Sequence, residues 1–327
     1  MDEKKALHLL EENLMALNST VTGRRAFITA LPILLTGCAT MTSDRSREGD
    51  NTGQYTSMTV ADEQKMTQEV LPKMRKDYPP HKNSYAQSYI ENLGQKIVHA
   101  NNLNGNPYRY NFTVVDVKNV NAFALPAGTV FVTAPLIKMA DTEAELAGVI
   151  GHEIGHIQAR HTAERIEAAK KEEKKSWMYG LGGAILGGAA GFGLGKLLCS
   201  KQDRECLKRA MMYGGMAGVG GGLLIQKYGF MANSREDEME ADRIGFKTSL
   251  KAGYHKDHIG LFYSKLLGME QQYKKNQNSL LAPLADAMST HPPSQERVLQ
   301  MNAMANKSTV VGNKVSSKSF EKLKKML

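Results

Sequence analysis

His152 and His156, four residues apart with Glu153 between them, constrain this chain more than any other feature of its sequence. On an α-helix, positions i and i+4 share a face one turn apart, so both imidazoles can reach the same metal ion. A zinc ion held by neutral imidazoles keeps an open position for water, and a carboxylate beside that water can take its proton. Peptide hydrolysis needs that arrangement. With nine histidines in 327 residues, such a string also arises by accident in roughly a few per cent of chains, so its surroundings must decide.

Those surroundings predict a helix. Thr142 and Glu145 read as a capping box with Asp141 as a competing cap, and Leu146, Val149, Ile150, Ile154 and Ile157 keep an apolar stripe at helical spacing. The pattern runs on past Arg165. On one continuous helix, His161 lies about 140° around from His156 and points away from the metal. Gly151, Ile154 and Gly155 argue for a close-packed site over an ordinary amphipathic helix with solvated histidines.

A site of this kind commonly uses three protein ligands plus water. The cluster Arg235-Glu236-Asp237-Glu238-Met239-Glu240-Ala241-Asp242 is the candidate source of the third. Glu238 and Asp242 share a helical face, so one can bind metal while the other orients a ligand histidine. Glu236 and Glu240 form an equally spaced competing pair, and a solvated acidic face is the usual meaning of such a cluster.

His152-Glu153-Ile154-Gly155-His156 together with Glu238-Met239-Glu240-Ala241-Asp242 resembles the HExxH and ExxAD signatures of the CAAX prenyl protease and HtpX family of zinc endopeptidases, and within it the BepA-like and LoiP-like lipoproteins. Asn121-Ala122-Phe123-Ala124-Leu125-Pro126-Ala127-Gly128 is similar to the family's NAFxxPxG segment. Ser234-Arg235 before the glutamate, and His291-Pro292 with Arg297 after it, fit as well. The resemblance covers roughly residues 60 to 305.

It implies a mainly helical α+β domain of the zincin type, with one Zn2+ per chain bound by His152, His156 and Glu238 and with Glu153 as general base. Asp242 would hold a ligand histidine by its second ring nitrogen. His291 would be an oxyanion stabiliser or a removable fourth ligand, although a histidine before Pro292 and Pro293 also marks an ordinary helix boundary. Arg297 would brace that region against Glu238. Thr129 to Thr133 reads as a strand, and the resemblance makes Val130, Phe131 and Val132 an edge strand to which an extended peptide adds. From the sequence alone, a covered core strand is the alternative.

The N-terminal part predicts where this chemistry occurs. Arg24 and Arg25 precede an apolar stretch from Ala26 to Leu35, and Leu35-Thr36-Gly37-Cys38 matches a bacterial lipobox. About ten apolar residues are too few to span a bilayer. Residues 1–37 therefore read as a signal peptide, Cys38 as a lipidated N terminus and 38–60 as its tether. Gly23 to Ile28 is similar to a twin-arginine signal, which leaves the export route open. Ala39 replaces the aspartate that retains lipoproteins in the inner membrane, so the periplasmic face of the outer membrane is the expected location, with the inner membrane as alternative.

Cys199 and Cys206 could pair in an oxidising compartment. Gly183, Gly187, Gly191 and Gly195 on one side, and Gly214, Gly218 and Gly222 on the other, would let two helices approach closely as a hairpin over residues 177–226. A Cys199–Cys206 disulfide would staple it. Trp177 to Leu198 is also long enough to span a membrane, which makes an integral membrane protease an alternative, but its glycines cost helix stability. The favoured reading is a hairpin packed near the active site.

Elsewhere, helices are predicted from Ala61 to Lys76 and Ser84 to Ala100, separated by Pro79-Pro80, and strands at Tyr110 to Val117 and Val130 to Thr133. The catalytic domain is placed at 61–305 and a polar, basic tail at 306–327. The net charge of +9 could favour anionic surfaces, yet basic runs with few interleaved aromatics give no sign of nucleic-acid binding. The expected activity is a zinc-dependent endopeptidase of the bacterial envelope that hydrolyses unfolded or misfolded proteins in outer-membrane quality control. Its expected partners are those substrates, the membrane through Cys38, and outer-membrane assembly machinery. A chaperone or assembly scaffold with its zinc site closed by His291 is the competing reading.

Overall fold

Thr59 and Asn83 cap the first two helices among the described residues, α1 (Val60–Asp77) and α2 (Ser84–Ala100), each accepting a hydrogen bond from a backbone N–H of the first turn. Thr59 and Asp62 complete a reciprocal capping box. Both helices fall within one residue of their predicted bounds, on either side of Pro79-Pro80. The computed structural model describes residues 56–178, 233–276 and 284–327, all within one compact unit, Arg47–Leu327. The predicted signal segment, Cys38, Cys199, Cys206 and the glycine hairpin beyond Met178 lie outside the described residues.

Three strands follow: β1 (Asn111–Val115), β2 (Ala122–Leu125) and β3 (Thr129–Thr133). Their order in the sheet is β1-β3-β2, with β1 parallel and β2 antiparallel to β3. Val130, Phe131 and Val132 therefore occupy the central strand and not the edge. All five residues of β3 are buried and both of its flanks are hydrogen-bonded, so no peptide can add to it. The two edges are β1 and β2, the latter a four-residue strand whose sequence carries no clear alternation. Between β2 and β3 the chain turns at Pro126–Gly128, where Ala127 and Gly128 both have positive φ, 65° and 103°. A Cβ on Gly128 would stand 2.4 Å from the Arg109 carbonyl oxygen, which explains a glycine there.

After α3 (Ala134–Met139), Thr142 caps α4 (Glu143–Gln158). Glu145 does not close a box with Thr142: its carboxylate accepts from the Asp141 N–H at 3.2 Å and pairs with Lys265 at 2.9 Å. The predicted continuous helix past Arg165 is broken at Ala159 and Arg160, and α5 (His161–Met178) starts after that turn. Arg160 takes a left-handed φ of 55°. Its guanidinium is held by Glu63 and by the Met58 carbonyl, so contacts from α1 and its approach fix a turn that local sequence does not signal.

Among the described residues, the remaining helices are α6 (Arg235–Lys251), α7 (Lys256–Ile259), α8 (Leu261–Asn276), α9 (Ala285–Thr290), α10 (Gln295–Lys307) and α11 (Lys318–Met326). The segment read as a basic tail, 306–327, is built into the fold: Phe320 and Leu323 of α11 are fully buried. Among the described residues, no helix is long and apolar enough to cross a membrane.

Candidate metal centre

Two helices in backbone contact build the centre. A Cβ on Gly151 would meet the Gly245 carbonyl oxygen at 2.7 Å, and one on Gly155 the Ala241 carbonyl oxygen at 2.8 Å. This seam of small residues lets α4 bring His152, Glu153 and His156 against Glu238 and Asp242 of α6. All five are buried. Ser234 caps α6 in a reciprocal box with Asp237, which sets the helix start one turn before Glu238.

The donor atoms converge. His152 Nε2 and His156 Nε2 lie 2.9 Å apart. Glu238 Oε2 is 3.3 Å from the first and its Oε1 is 3.2 Å from the second. His291, which ends α9 just before Pro292, places Nδ1 at 3.1 Å from Glu238 Oε1 and 3.2 Å from His152 Nε2. One ligand atom from each of these four side chains lies within 4.8 Å of the others. Two imidazole nitrogens at this separation can share one proton at most, so a cation between them fits better than a packed hydrogen-bond network. Nitrogen and carboxylate donors buried together suit zinc.

Charges around the centre are arranged to match. Burial pulls the His152 imidazole down, but the Glu238 and Asp242 carboxylates outweigh it and bring its pKa up to about 9. Burial and the neighbouring His152 hold His156 well below the usual range. For Glu238, burial raises the pKa, and Arg297, His291 and His152 together reverse that and hold it well below the ordinary carboxylate value. A metal held here would take the place of the proton on His152 and meet an ionised Glu238 carboxylate.

Asp242 Oδ1 lies 2.8 Å from His152 Nδ1. Arg297 grips Asp242 with Nε and Nη2, both at 2.7 Å, and reaches Glu238 Oε2 with Nη1 at 2.7 Å. The Tyr263 ring packs 4.9 Å from the guanidinium carbon. The competing acidic pair is split: Glu236 is exposed, while Glu240 is buried on the side of His161. His161 does not point away from the centre. The turn at Arg160 swings it back until its Nδ1 is 2.8 Å from His156 Nδ1.

Two other residues escape the sequence reading. Asn233 donates to Glu238 Oε1 at 2.5 Å and lies 3.3 Å from His156 Nε2. Its place immediately before the Ser234 cap was the signal available for it. Tyr263, from α8, lies 5.7 Å centroid to centroid from His152 and has no distinguishing motif. Glu153 Oε1 sits 3.5 Å from His291 Nε2. A narrow cavity of about 30 Å³ opens beside it, lined by Asn121, Val149, Glu153, Phe262, Leu266 and His291 among others. A second, of about 10 Å³, lies where Ala124, Leu125 and Pro126 face His156. β2 thus runs past the centre from one cavity to the other.

Residues 84–305 match the profile of Peptidase family M48. The chain is 26% identical over 256 residues to the beta-barrel assembly-enhancing protease of Escherichia coli (strain K12), covering 78% of this chain and 46% of that protein. The mitochondrial metalloendopeptidase OMA1 of Arabidopsis thaliana is 33% identical over 196 residues, 58% of this chain and 31% of that protein. Metalloprotease LoiP of Escherichia coli (strain K12) is 29% identical over 178 residues, 53% of this chain and 68% of that protein. The chain spans about half the length of the beta-barrel assembly-enhancing proteases it matches.

Proposed function

This chain belongs to peptidase family M48, and on that premise we propose that it is a zinc-dependent endopeptidase of the bacterial envelope. The observation that carries the reading is the convergence of His152, His156 and Glu238 donors next to the buried Glu153 carboxylate. Zinc held there supplies Lewis acidity, lowering the pKa of a water and polarising the scissile carbonyl. Glu153 accepts the proton of the attacking water and passes it to the leaving amine. Asp242 orients His152, and Arg297 keeps both Asp242 and Glu238 ionised. His291 Nδ1 faces Glu238 and His152, which favours a resting arrangement with four donors. In that same arrangement its Nε2 lies 3.5 Å from Glu153 Oε1, which keeps an imidazole donor beside the general base to serve the developing oxyanion.

The substrate is an extended peptide that adds to the β2 edge. Main-chain pairing gives such binding a loose sequence preference. Unfolded or misfolded envelope proteins meet that requirement. The name of the Escherichia coli relative, beta-barrel assembly-enhancing protease, favours outer-membrane quality control near the assembly machinery. The lipobox at Cys38 favours the periplasmic face of the outer membrane.

Glu153→Gln tests the assignment. The variant should lose casein cleavage and retain one zinc per chain. A variant that still cleaves at the native rate sinks the role of Glu153. If it is inactive yet fully supports envelope integrity in cells, the scaffold reading replaces the enzymatic one.

A further inference from the structure

On the zinc-ligand reading above, we propose that His161 is the positioning residue for His156, holding it in the tautomer that presents Nε2 to the metal. His156 Nε2 is the atom that converges with His152 Nε2 at 2.9 Å and Glu238 Oε1 at 3.2 Å. A neutral imidazole that offers a lone pair from Nε2 carries its proton on Nδ1. That Nδ1 lies 2.8 Å from His161 Nδ1, a distance that requires one donor and one acceptor. His161 Nδ1 is therefore the acceptor, and the His161 proton resides on Nε2. From there it faces Glu240 Oε2 at 3.4 Å and Asp237 Oδ1 at 3.7 Å, both carboxylate acceptors. Each step has a single consistent assignment once His156 Nε2 is given to the metal.

The two ligand histidines thus have unlike supports. His152 is met directly by the Asp242 carboxylate, whereas His156 is met by an imidazole that relays an acidic pair of α6. His161 and Glu240 are both fully buried, so water does not substitute freely for either. His161 reaches this place because Arg160 is left-handed, and Arg160 is held by Glu63 of α1 and by the Met58 carbonyl. Tyr108 donates to the same Glu63 carboxylate and completes the clamp. Partners that orient a metal-bound histidine typically change metal affinity by about 10- to 100-fold when removed.

The test is zinc affinity of the full chain, measured by competition with a chromophoric chelator. His161→Ala should weaken binding by about 10- to 100-fold. His161→Asn, whose Oδ1 falls near the place of Nδ1, should recover most of that loss, which a purely structural role would not predict. In the zinc-loaded wild type, nitrogen–proton correlation spectra of the imidazoles should show His161 protonated on Nε2, a readout that needs no variant to fold. An alanine variant that binds zinc within about twofold of wild type, an asparagine variant no better than alanine, or an Nδ1-protonated His161 overturns the assignment. Failure of the wild type to bind zinc removes the metal-centre reading itself, a result distinct from equal binding by wild type and variant.

Discussion

Arg297 is 2% exposed and faces two buried carboxylates at once, Asp242 through a two-pronged contact and Glu238 through its third nitrogen. Removing one partner of a buried ionic cluster leaves uncompensated charge, at a cost of about 3–5 kcal/mol. Arg297→Met should destabilise the chelator-treated chain by that amount at neutral pH. The sign with pH follows from Asp242, where burial raises the pKa but Arg297 outweighs it and holds the group below its ordinary 3.8. A depressed carboxyl contributes stability above its unfolded pKa and loses it as pH falls through the folded one. The gap between wild type and Arg297→Met should therefore be full above about pH 5 and close in more acid solution. Denaturant unfolding at neutral and acid pH measures this, and a gap that widens on acidification contradicts it. At this scale the sequence was informative wherever spacing alone places side chains, as for His152 with His156 and Glu238 with Asp242. His161 was misplaced because its direction depends on one backbone angle at Arg160.

The α4–α6 seam sets how close the donors of the two helices come. Gly155→Ala puts a methyl 2.8 Å from the Ala241 carbonyl oxygen and 3.0 Å from its Cα, and neither backbone atom can rotate aside. The helices must separate, which carries His156 away from Glu238. Alanine gains about 1 kcal/mol of helix propensity over glycine, against an overpacking cost of about 1–3 kcal/mol. The expected result is little change or a modest fall in stability with a clear loss of zinc affinity, read by denaturant melts and chelator competition. Native zinc affinity in that variant would mean the seam does not set the donor spacing. Ala241 in the acidic motif has the same origin, since it is the residue against which Gly155 packs. Elements with explicit end signals were legible in the sequence: Thr59 with Asp62, Asn83, and Pro79-Pro80 bound α1 and α2. β2 was not, because four residues cut short by a following proline carry no periodicity. The central position of β3 was hidden because burial on both sides of a strand depends on which strands come to flank it.

Across the whole molecule, the segment after Lys307 acts as a strap outside residues 84–305, the part that matches the family profile. His255 N–H donates to Lys314, Ala144 N–H to Val315, and Ser317 Oγ to Glu143, so the strap satisfies first-turn groups of α4 and ties them to the turn after α6. Tyr85 of α2 donates to the Ser319 carbonyl at 3.1 Å. α11 then seals the assembly with Phe320 and Leu323, three residues apart on one face and both at 0% exposure. Lysines surrounding that pair gave the sequence its appearance of a solvated tail. Phe320→Ala should cost about 3–5 kcal/mol through lost burial and the cavity left behind, seen as a lower thermal midpoint. The strap grips the N-terminal end of α4, whereas His152 and His156 lie in its second half, more than two turns further on. Zinc affinity measured well below the new midpoint should therefore equal that of wild type. A variant that lost zinc while still folded would show that the strap reaches the metal centre through α4, and an unchanged midpoint would show that α11 contributes no packing energy to the fold.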